Sequence, residues 1–260
     1  MSLAHERTGS GRPLLLVHGI GSRRQVWEPV LGRLAAEREV VTVDLPGFGE
    51  SAGLPAGVIP TLDAHIDAVV AFLDEQGLDE IDVGGNSMGG GVALELARRG
   101  RVRTATALSP IGFWTPRERQ WAVRSLKNTY ATARTLLPVA PALYATAVGR
   151  TLGSWQVAAR PWRIPAEDAV ASHRALAEAE AFLPTLDVVS TYVFHDGPEL
   201  RVPVTVAWGE RDRLLLARQS RRAMKVLPQG RHLLLYGCGH VPMHDDPEQV
   251  ARVLLEGSAG

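Results

Sequence analysis

The residues best suited to chemistry in this 260-residue chain are a serine among glycines, Gly85-Asn86-Ser87-Met88-Gly89, with Gly90 and Gly91 following. A serine hydroxyl is a weak nucleophile at neutral pH and needs a neighbouring base to take its proton. It is well presented on a tight turn between a strand and a helix. Such a turn demands small residues two before and two after the serine. Both positions are glycine here. The apolar run 81–83 precedes the turn, and a helical pattern, 88–99, follows it and stops at Gly100. The helix N-terminus behind Ser87 favours negative charge developing on a reacting oxygen. The bland alternative, a chance match in a glycine-rich turn, does not explain the strand before it or the helix after it.

A base must come from the 8 histidines. His240 ends Gly237-Cys238-Gly239-His240, directly after the apolar run 232–236, where a flexible loop can bring an imidazole over strand ends. His5, His65, His173, His195 and His232 lie outside any motif and read as surface or packing residues. An acid must orient the base and stabilise its charged form. Asp212 ends Gly209-Glu210-Arg211-Asp212, just past the run 204–208. Asp44, in Asp44-Leu45-Pro46-Gly47, is the rival for that role, although its context reads as a turn. Asp245 and Asp246 are expected to cap the helix that starts at Pro247.

These loops need a scaffold. Short β-branched or leucine-rich runs at 14–17, 40–43, 81–83, 104–108, 204–208 and 232–236 have the length and composition of buried strands. Helical patterns alternate with them. In 62–73, Leu62, Ile66, Val69, Val70 and Leu73 share one face; 88–99 and 247–255 are further helices, the last with proline in its first turn. Strand–helix alternation predicts an α/β, mostly parallel, doubly wound sheet covered on both faces. Between 112 and 198 no strand is expected. Prolines 116, 138, 141, 161, 165 and 184 cut this stretch into helical segments, the first opening on Thr115-Pro116-Arg117-Glu118, with a Thr cap and Glu three residues on. The expected organisation is a core of 1–111 and 199–260, with 112–198 inserted as a helical lid.

The order and spacing of these motifs resemble the α/β-hydrolase fold family over nearly the whole chain. Leu14-Leu15-Leu16-Val17-His18-Gly19-Ile20-Gly21 is similar to its first core strand and oxyanion loop. Asp44-Leu45-Pro46-Gly47-Phe48-Gly49-Glu50-Ser51 is similar to its D-x-P-G-x-G-x-S turn. The elbow, acid loop and histidine loop follow in the family's order. The resemblance implies a triad of Ser87, Asp212 and His240. It implies an oxyanion hole from the backbone N–H groups of Ile20 and Met88, with His18 a support of that loop. Only about a dozen residues precede the first clear strand, so the family's outermost strand is expected to be missing.

Composition narrows the alternatives. Lysine plus arginine and aspartate plus glutamate both number 28, so there is no basic excess for nucleic acid. One cysteine, Cys238, excludes a disulfide and multi-cysteine metal sites. Its reading is small filler near the site. His240 and His244 have helical metal-ligand spacing, but Pro242 and Pro247 break the segment, and no metal is expected. Gly19-Ile20-Gly21 fails as a dinucleotide loop because Arg24 stands where the third glycine belongs. No cofactor is expected. No apolar run reaches the roughly 18 residues of a membrane span, and the first residues carry no signal-like stretch, so a cytoplasmic location is expected. In the insertion, residues 112–163 carry eight basic residues against Glu118, along with Trp114, Trp121, Trp155 and Trp162. Either the tryptophans line a pocket or they pack the lid on the core, and the arginines read as a solvated face. Trp114 is the candidate to meet substrate.

The leading expectation is a serine hydrolase acting on an ester or related acyl bond of a small, apolar molecule. A carbon–carbon hydrolase of the meta-cleavage-product type is the second. Its resemblance is in Gly85-Asn86-Ser87-Met88-Gly89-Gly90, and its weak point is Val241 where that group usually has Trp. Haloalkane dehalogenases need an Asp nucleophile, whereas cofactor-free haloperoxidases and hydroxynitrile lyases keep the triad. A third class, a hydrolase-fold binding protein without turnover, would typically have lost a triad residue.

Overall fold

Runs of Leu, Val, Thr and Ala build one sheet. In the computed structural model, which describes residues 2–195, 197 and 200–259, the strands are β1 (His5–Thr8), β2 (Pro13–Val17), β3 (Glu39–Val43), β4 (Asp82–Asn86), β5 (Thr104–Leu108), β6 (Val204–Gly209) and β7 (Arg231–Leu235). Their spatial order is β1-β3-β2-β4-β5-β6-β7. β1 pairs antiparallel with β3, and the other pairs are parallel. β1 corrects the expectation that the outermost strand is missing. Its sequence, His-Glu-Arg-Thr, is polar and mostly exposed, so it lacks an apolar signature. Main-chain pairing holds it, and its charged side chains suit an unpaired sheet edge.

The helices are α1 (Glu28–Leu34), α2 (Leu62–Gln76), α3 (Met88–Arg98), α4 (Pro116–Leu136), α5 (Ala140–Tyr144), α6 (Ala147–Ser154), α7 (Ala166–Glu178), α8 (Phe182–Val189), α9 (Ser220–Val226) and α10 (Pro247–Gly257). The period-2 alternation of the strands divides them into two layers. Leu14 and Leu16 of β2 pack with Trp27, Val30, Leu34 and Leu254, under α1 and α10. Leu15 and Val17 face the other way, into Ile66, Val69, Phe72 and Val92 of α2 and α3. Each side chain fully buried this way contributes roughly 1.5–3 kcal/mol. The faces of α2 match the sequence pattern, and its end is set by Gly77 at φ 64°, a left-handed cap that glycine adopts without strain. Among the described residues, no helix is long and apolar enough to cross a membrane.

Helices α4 to α8 form the insertion between β5 and β6. Residues 196, 198 and 199, where the insertion was expected to end, lie outside the described residues. At its start, the Thr115 hydroxyl accepts the Glu118 N–H, and the Glu118 carboxylate accepts the Thr115 N–H at 2.8 Å. This is the expected capping box. The same buried carboxylate also takes the Arg218 Nε–H at 2.6 Å and the Arg222 guanidinium. Burial disfavours the charged Glu118, but the Thr115 N–H and Arg218 prevail and hold its pKa below the usual carboxylate range. The insertion is thereby tied to α9 and to the turn before it. At its far end, Phe194 N–H donates to Gly112 O at 3.1 Å, Trp114 Nε1–H to Tyr192 O at 3.1 Å, and Tyr192 O–H to Glu95 of α3 at 2.7 Å. The entering and leaving chains form one stem.

Glu118→Gln is expected to destabilise the protein by about 1–2 kcal/mol near neutral pH, since it leaves the partly exposed Arg218 and Arg222 facing a neutral amide. Because the folded pKa is depressed, this stabilisation is present above the unfolded carboxyl pKa of about 4.3 and is lost as pH falls through the folded value. Urea unfolding of both proteins at pH 7 and pH 3.5 checks the sign: the gap must shrink at the lower pH.

Candidate active site

Ser87 is the residue between β4 and α3, with φ 58° and ψ −115°. A non-glycine residue in that region carries roughly 1–3 kcal/mol of strain and persists only where its surroundings enforce it. The enforcing contacts are visible. A Cβ on Gly85 would overlap the Gly89 carbonyl, and a Cβ on Gly89 would overlap the Val17 carbonyl at the end of β2. Ser87 N–H donates to Leu108 O at 2.9 Å, while Ser87 O accepts Gly91 N–H at 3.1 Å and Ile111 N–H at 3.2 Å. The serine is pinned from both neighbouring strands.

The loops after β2, β6 and β7 leave the same end of the sheet as Ser87. A parallel sheet binds ligands at this carboxyl end. His240 Nδ1 lies 2.7 Å from Asp212 Oδ2. The other Asp212 oxygen accepts the N–H groups of Leu214 at 2.9 Å and Leu215 at 2.8 Å, which aims the carboxylate. His240 is buried, and its Nε2 has no hydrogen-bond partner among the described residues. The acid and base expected from the sequence are thus brought together. Asp44, the rival acid, is committed elsewhere. It accepts Arg24 N–H at 2.6 Å, Glu50 N–H at 3.0 Å and the Arg24 guanidinium. It lies 3.9 Å from His18 Nε2.

His18 is buried and serves the neighbouring loop. Its Nε2 accepts Leu45 N–H at 3.0 Å, so its Nδ1 carries the proton and donates to Gly19 O at 2.7 Å. Burial lowers its pKa, against the opposing pull of Gly19 and Asp44, and a neutral ring is what this pair of bonds requires. Gly19 then lies against the serine: an added Cβ would sit 3.1 Å from Ser87 Cβ and 3.6 Å from Oγ. Ile20 follows directly. Met88, first residue of α3, has no intrahelical acceptor for its N–H, and among the described residues neither it nor Ile20 donates a backbone hydrogen bond.

Sequence reasoning missed two residues here. Asn86 donates through its side-chain amide to Leu108 O at 3.1 Å and His240 O at 2.9 Å, tying the elbow strand to the histidine loop. Its only signal was a polar residue at the end of a buried strand. Asp245 corrects an expectation. Asp246 alone caps α10, accepting Gln249 N–H at 2.9 Å, whereas Asp245 is buried and accepts N–H groups of the insertion. Cys238 is also buried. Burial and the charges of Asp245 and Asp246 push its thiol up to about 12, so it stays protonated and un-nucleophilic. His244 pairs at 3.8 Å with Asp168 rather than sharing a centre with His240.

The insertion touches the site from two sides. A Cβ on Gly21 would meet Leu176 at 2.6 Å and Phe182 at 2.9 Å. On the histidine loop, Val241 N–H donates to Val157 O at 2.8 Å. Trp114 is half-buried on the main core cluster. Trp121, Trp155 and Trp162 are 45%, 46% and 50% exposed, so the insertion's tryptophans do not form one enclosed aromatic wall.

A model of the Alpha/beta hydrolase family matches residues 14–253. The chain belongs to the alpha/beta hydrolase family. It is 30% identical over 250 residues to a Pseudomonas putida protein, the dihydrolipoyllysine-residue acetyltransferase component of an acetoin cleaving system, covering 94% of this chain and 63% of that one. It is 36% identical over 138 residues to a 2-hydroxymuconate semialdehyde hydrolase of Pseudomonas sp. (strain CF600), covering 51% of this chain and 48% of that one. The matches thus span less than two thirds of either relative's length. A solved thermophilic esterase from Thermogutta terrifontis matches with a TM-score of 0.74 at 24% identity, covering 98% and 92% of the two chains. That likeness shows the alpha/beta hydrolase fold.

Asn86→Ala removes both donors at once and strands a buried His240 carbonyl, a loss of about 1–3 kcal/mol. Asn86→Asp is expected to cost at least as much, because it points a carboxylate at two carbonyl oxygens. Chemical unfolding of the two variants tests this; a wild-type midpoint in either would show that the elbow and the histidine loop hold without the bridge.

Proposed function

We propose that this alpha/beta hydrolase is a serine hydrolase that cleaves an ester or related acyl bond of a small, apolar substrate. The observation that carries the reading is the His240–Asp212 pair, in which His240 keeps its Nε2 free while Asn86, beside the strained Ser87, holds the His240 backbone carbonyl. In this reading Ser87 Oγ attacks the acyl carbon while His240 Nε2 takes its proton. Asp212 stabilises the imidazolium. The N–H groups of Ile20 and Met88 receive the oxyanion of the tetrahedral intermediate. His240 returns the proton to the leaving group, and water then releases the acyl group by the same route in reverse. The insertion acts as a lid that keeps bulk water from Ser87 and His240.

Ser87→Ala, His240→Ala and Asp212→Asn are each expected to lower kcat/KM on p-nitrophenyl esters by about a thousand-fold or more, with losses that do not add, because the three act as a unit. A fluorophosphonate probe should label Ser87 stoichiometrically. Folded protein that takes up no label would favour the binding-protein reading. A second reading, carbon–carbon hydrolysis, draws on the resemblance to the 2-hydroxymuconate semialdehyde hydrolase. It requires turnover of a dienone substrate to exceed that of esters.

For Trp114 the proposal is a wall for the acyl chain. Trp114→Ala should then raise KM for medium-chain esters more than for acetate esters, since apolar contact contributes about 25 cal/mol per Å² and an acetyl methyl offers little area. Equal losses for both would leave Trp114 as a packing residue of the stem, held by Tyr192.

A further inference from the structure

Asp245 is a buried carboxylate with no part in the reaction just described. Its Oδ2 accepts Gly239 N–H at 2.8 Å and Ala159 N–H at 2.9 Å, and its Oδ1 accepts Arg160 N–H at 2.7 Å. The Arg160 guanidinium returns to the Asp245 carbonyl at 3.2 Å. Gly239 immediately precedes His240; Ala159 and Arg160 belong to the insertion. One side chain therefore joins the histidine loop to the chain that covers it. The contact between the two is close. A Cβ on Gly239 would lie 2.8 Å from both Ala159 N and Val157 O. From the acid loop, the Arg213 guanidinium donates to the carbonyls of Trp155 and Ala158, so the same stretch of the insertion is held over both partners of the His240–Asp212 pair.

The chemistry calls for a carboxylate here. Three backbone donors converge, and an ionised carboxylate offers acceptors on both oxygens, whereas an amide offers one. Bonds to the charged group are roughly twice as strong as neutral ones. Together they secure three amides that would otherwise be buried beside a residue needing a fixed position.

We propose that Asp245 is a positioning residue that couples the two: docking of the insertion at Ala159–Arg160 and alignment of the His240 backbone through Gly239 are one event. This rests on the reading of His240 as the base. An insertion held by this carboxylate closes over the site and completes it. An insertion released from it loosens the tie at Gly239 and leaves His240 held by Asn86 and Asp212 without the covering chain. The site is then formed fully only with the insertion in place, and turnover reports docking.

Asp245→Asn keeps the shape and tests the coupling. Whichever way the amide is turned, its NH2 group faces at least one N–H donor. Hydrogen exchange at Ala159, Arg160 and Gly239 should accelerate while β4 and α3 stay protected. On p-nitrophenyl acetate, kcat should fall about ten-fold or more with KM nearly unchanged, because a small displacement of a catalytic group lowers the rate rather than the affinity. Asp245→Glu, which keeps both acceptor oxygens, should recover part of the lost kcat. Should the Asn variant fail to fold, Asp245→Ser, whose shorter side chain leaves room for a water among the amides, carries the same comparison. Unchanged exchange, or faster exchange with wild-type kcat, overturns the coupling. His240→Ala separates the two readings: if it retains turnover, the assignment of the base fails; if it abolishes turnover while Asp245→Asn keeps wild-type kcat, only the coupling fails.

Discussion

The arrangement depends on a backbone-to-backbone approach that admits no side chain. The start of α3 crosses the end of β2 so closely that a Cβ on Gly89 would strike the Val17 carbonyl, and the turn folds back so tightly that one on Gly85 would strike Gly89 itself. These overlaps are with main chain, which cannot swing aside. They force Ser87 into its positive φ and lift its side chain above the sheet end. They also bring the Gly19 loop against it. Strain at one residue is held by two parallel strands, each of which buries apolar side chains on both faces of the sheet.

Around that point, polar groups hold the loops. Histidine 18 bridges two of them only as a neutral ring with its proton on Nδ1. Asp44, also buried, is saturated by Arg24 and Glu50, which explains why an acidic residue so near the site is unavailable to His240. Asp212 instead receives two amides of its own loop, leaving one oxygen for His240. The two aspartates differ in hydrogen-bond supply, and that difference separates a structural acid from a candidate catalytic one.

Much of this was legible beforehand because it is local. The elbow reads from glycines at fixed offsets, the strands from short apolar runs, and the first helix of the insertion from Thr115 and Glu118 three positions apart in the chain. What was not legible is non-local. Nothing in His-Glu-Arg-Thr announces β1, since its partner strand supplies the hydrogen bonds. Asn86 is an unconstrained position of the elbow motif until its two acceptors, 22 and 154 residues away, are in view. Asp245 reads as a helix cap because it precedes Asp246 and Pro247; only folding shows that its donors lie 85 and 86 residues earlier. A pattern confined to one segment can be read from its residues, whereas a bond between segments was foreseen only where known motifs announced both partners, as for Asp212 and His240.

The charge imbalance of the insertion illustrates the same limit. Eight basic residues against one acid between 112 and 163 read as a solvated cationic face when summed along the chain. In space, several of these charges are spoken for. Lys127 pairs with Asp187 at 2.6 Å, Arg150 donates to the carbonyls of Tyr144, Ala145 and Trp162, and Arg160 is bound to the Asp245 carbonyl. The lone acid, Glu118, draws its cations from the core, Arg222 of α9 and Arg218 just before it. Arginines that satisfy backbone carbonyls at the ends of short helices tie those segments together, as C-terminal cations do elsewhere. The basic surplus therefore acts first on how short, proline-cut helices hold one another, and only the remaining exposed arginines are free to act on anything outside the protein.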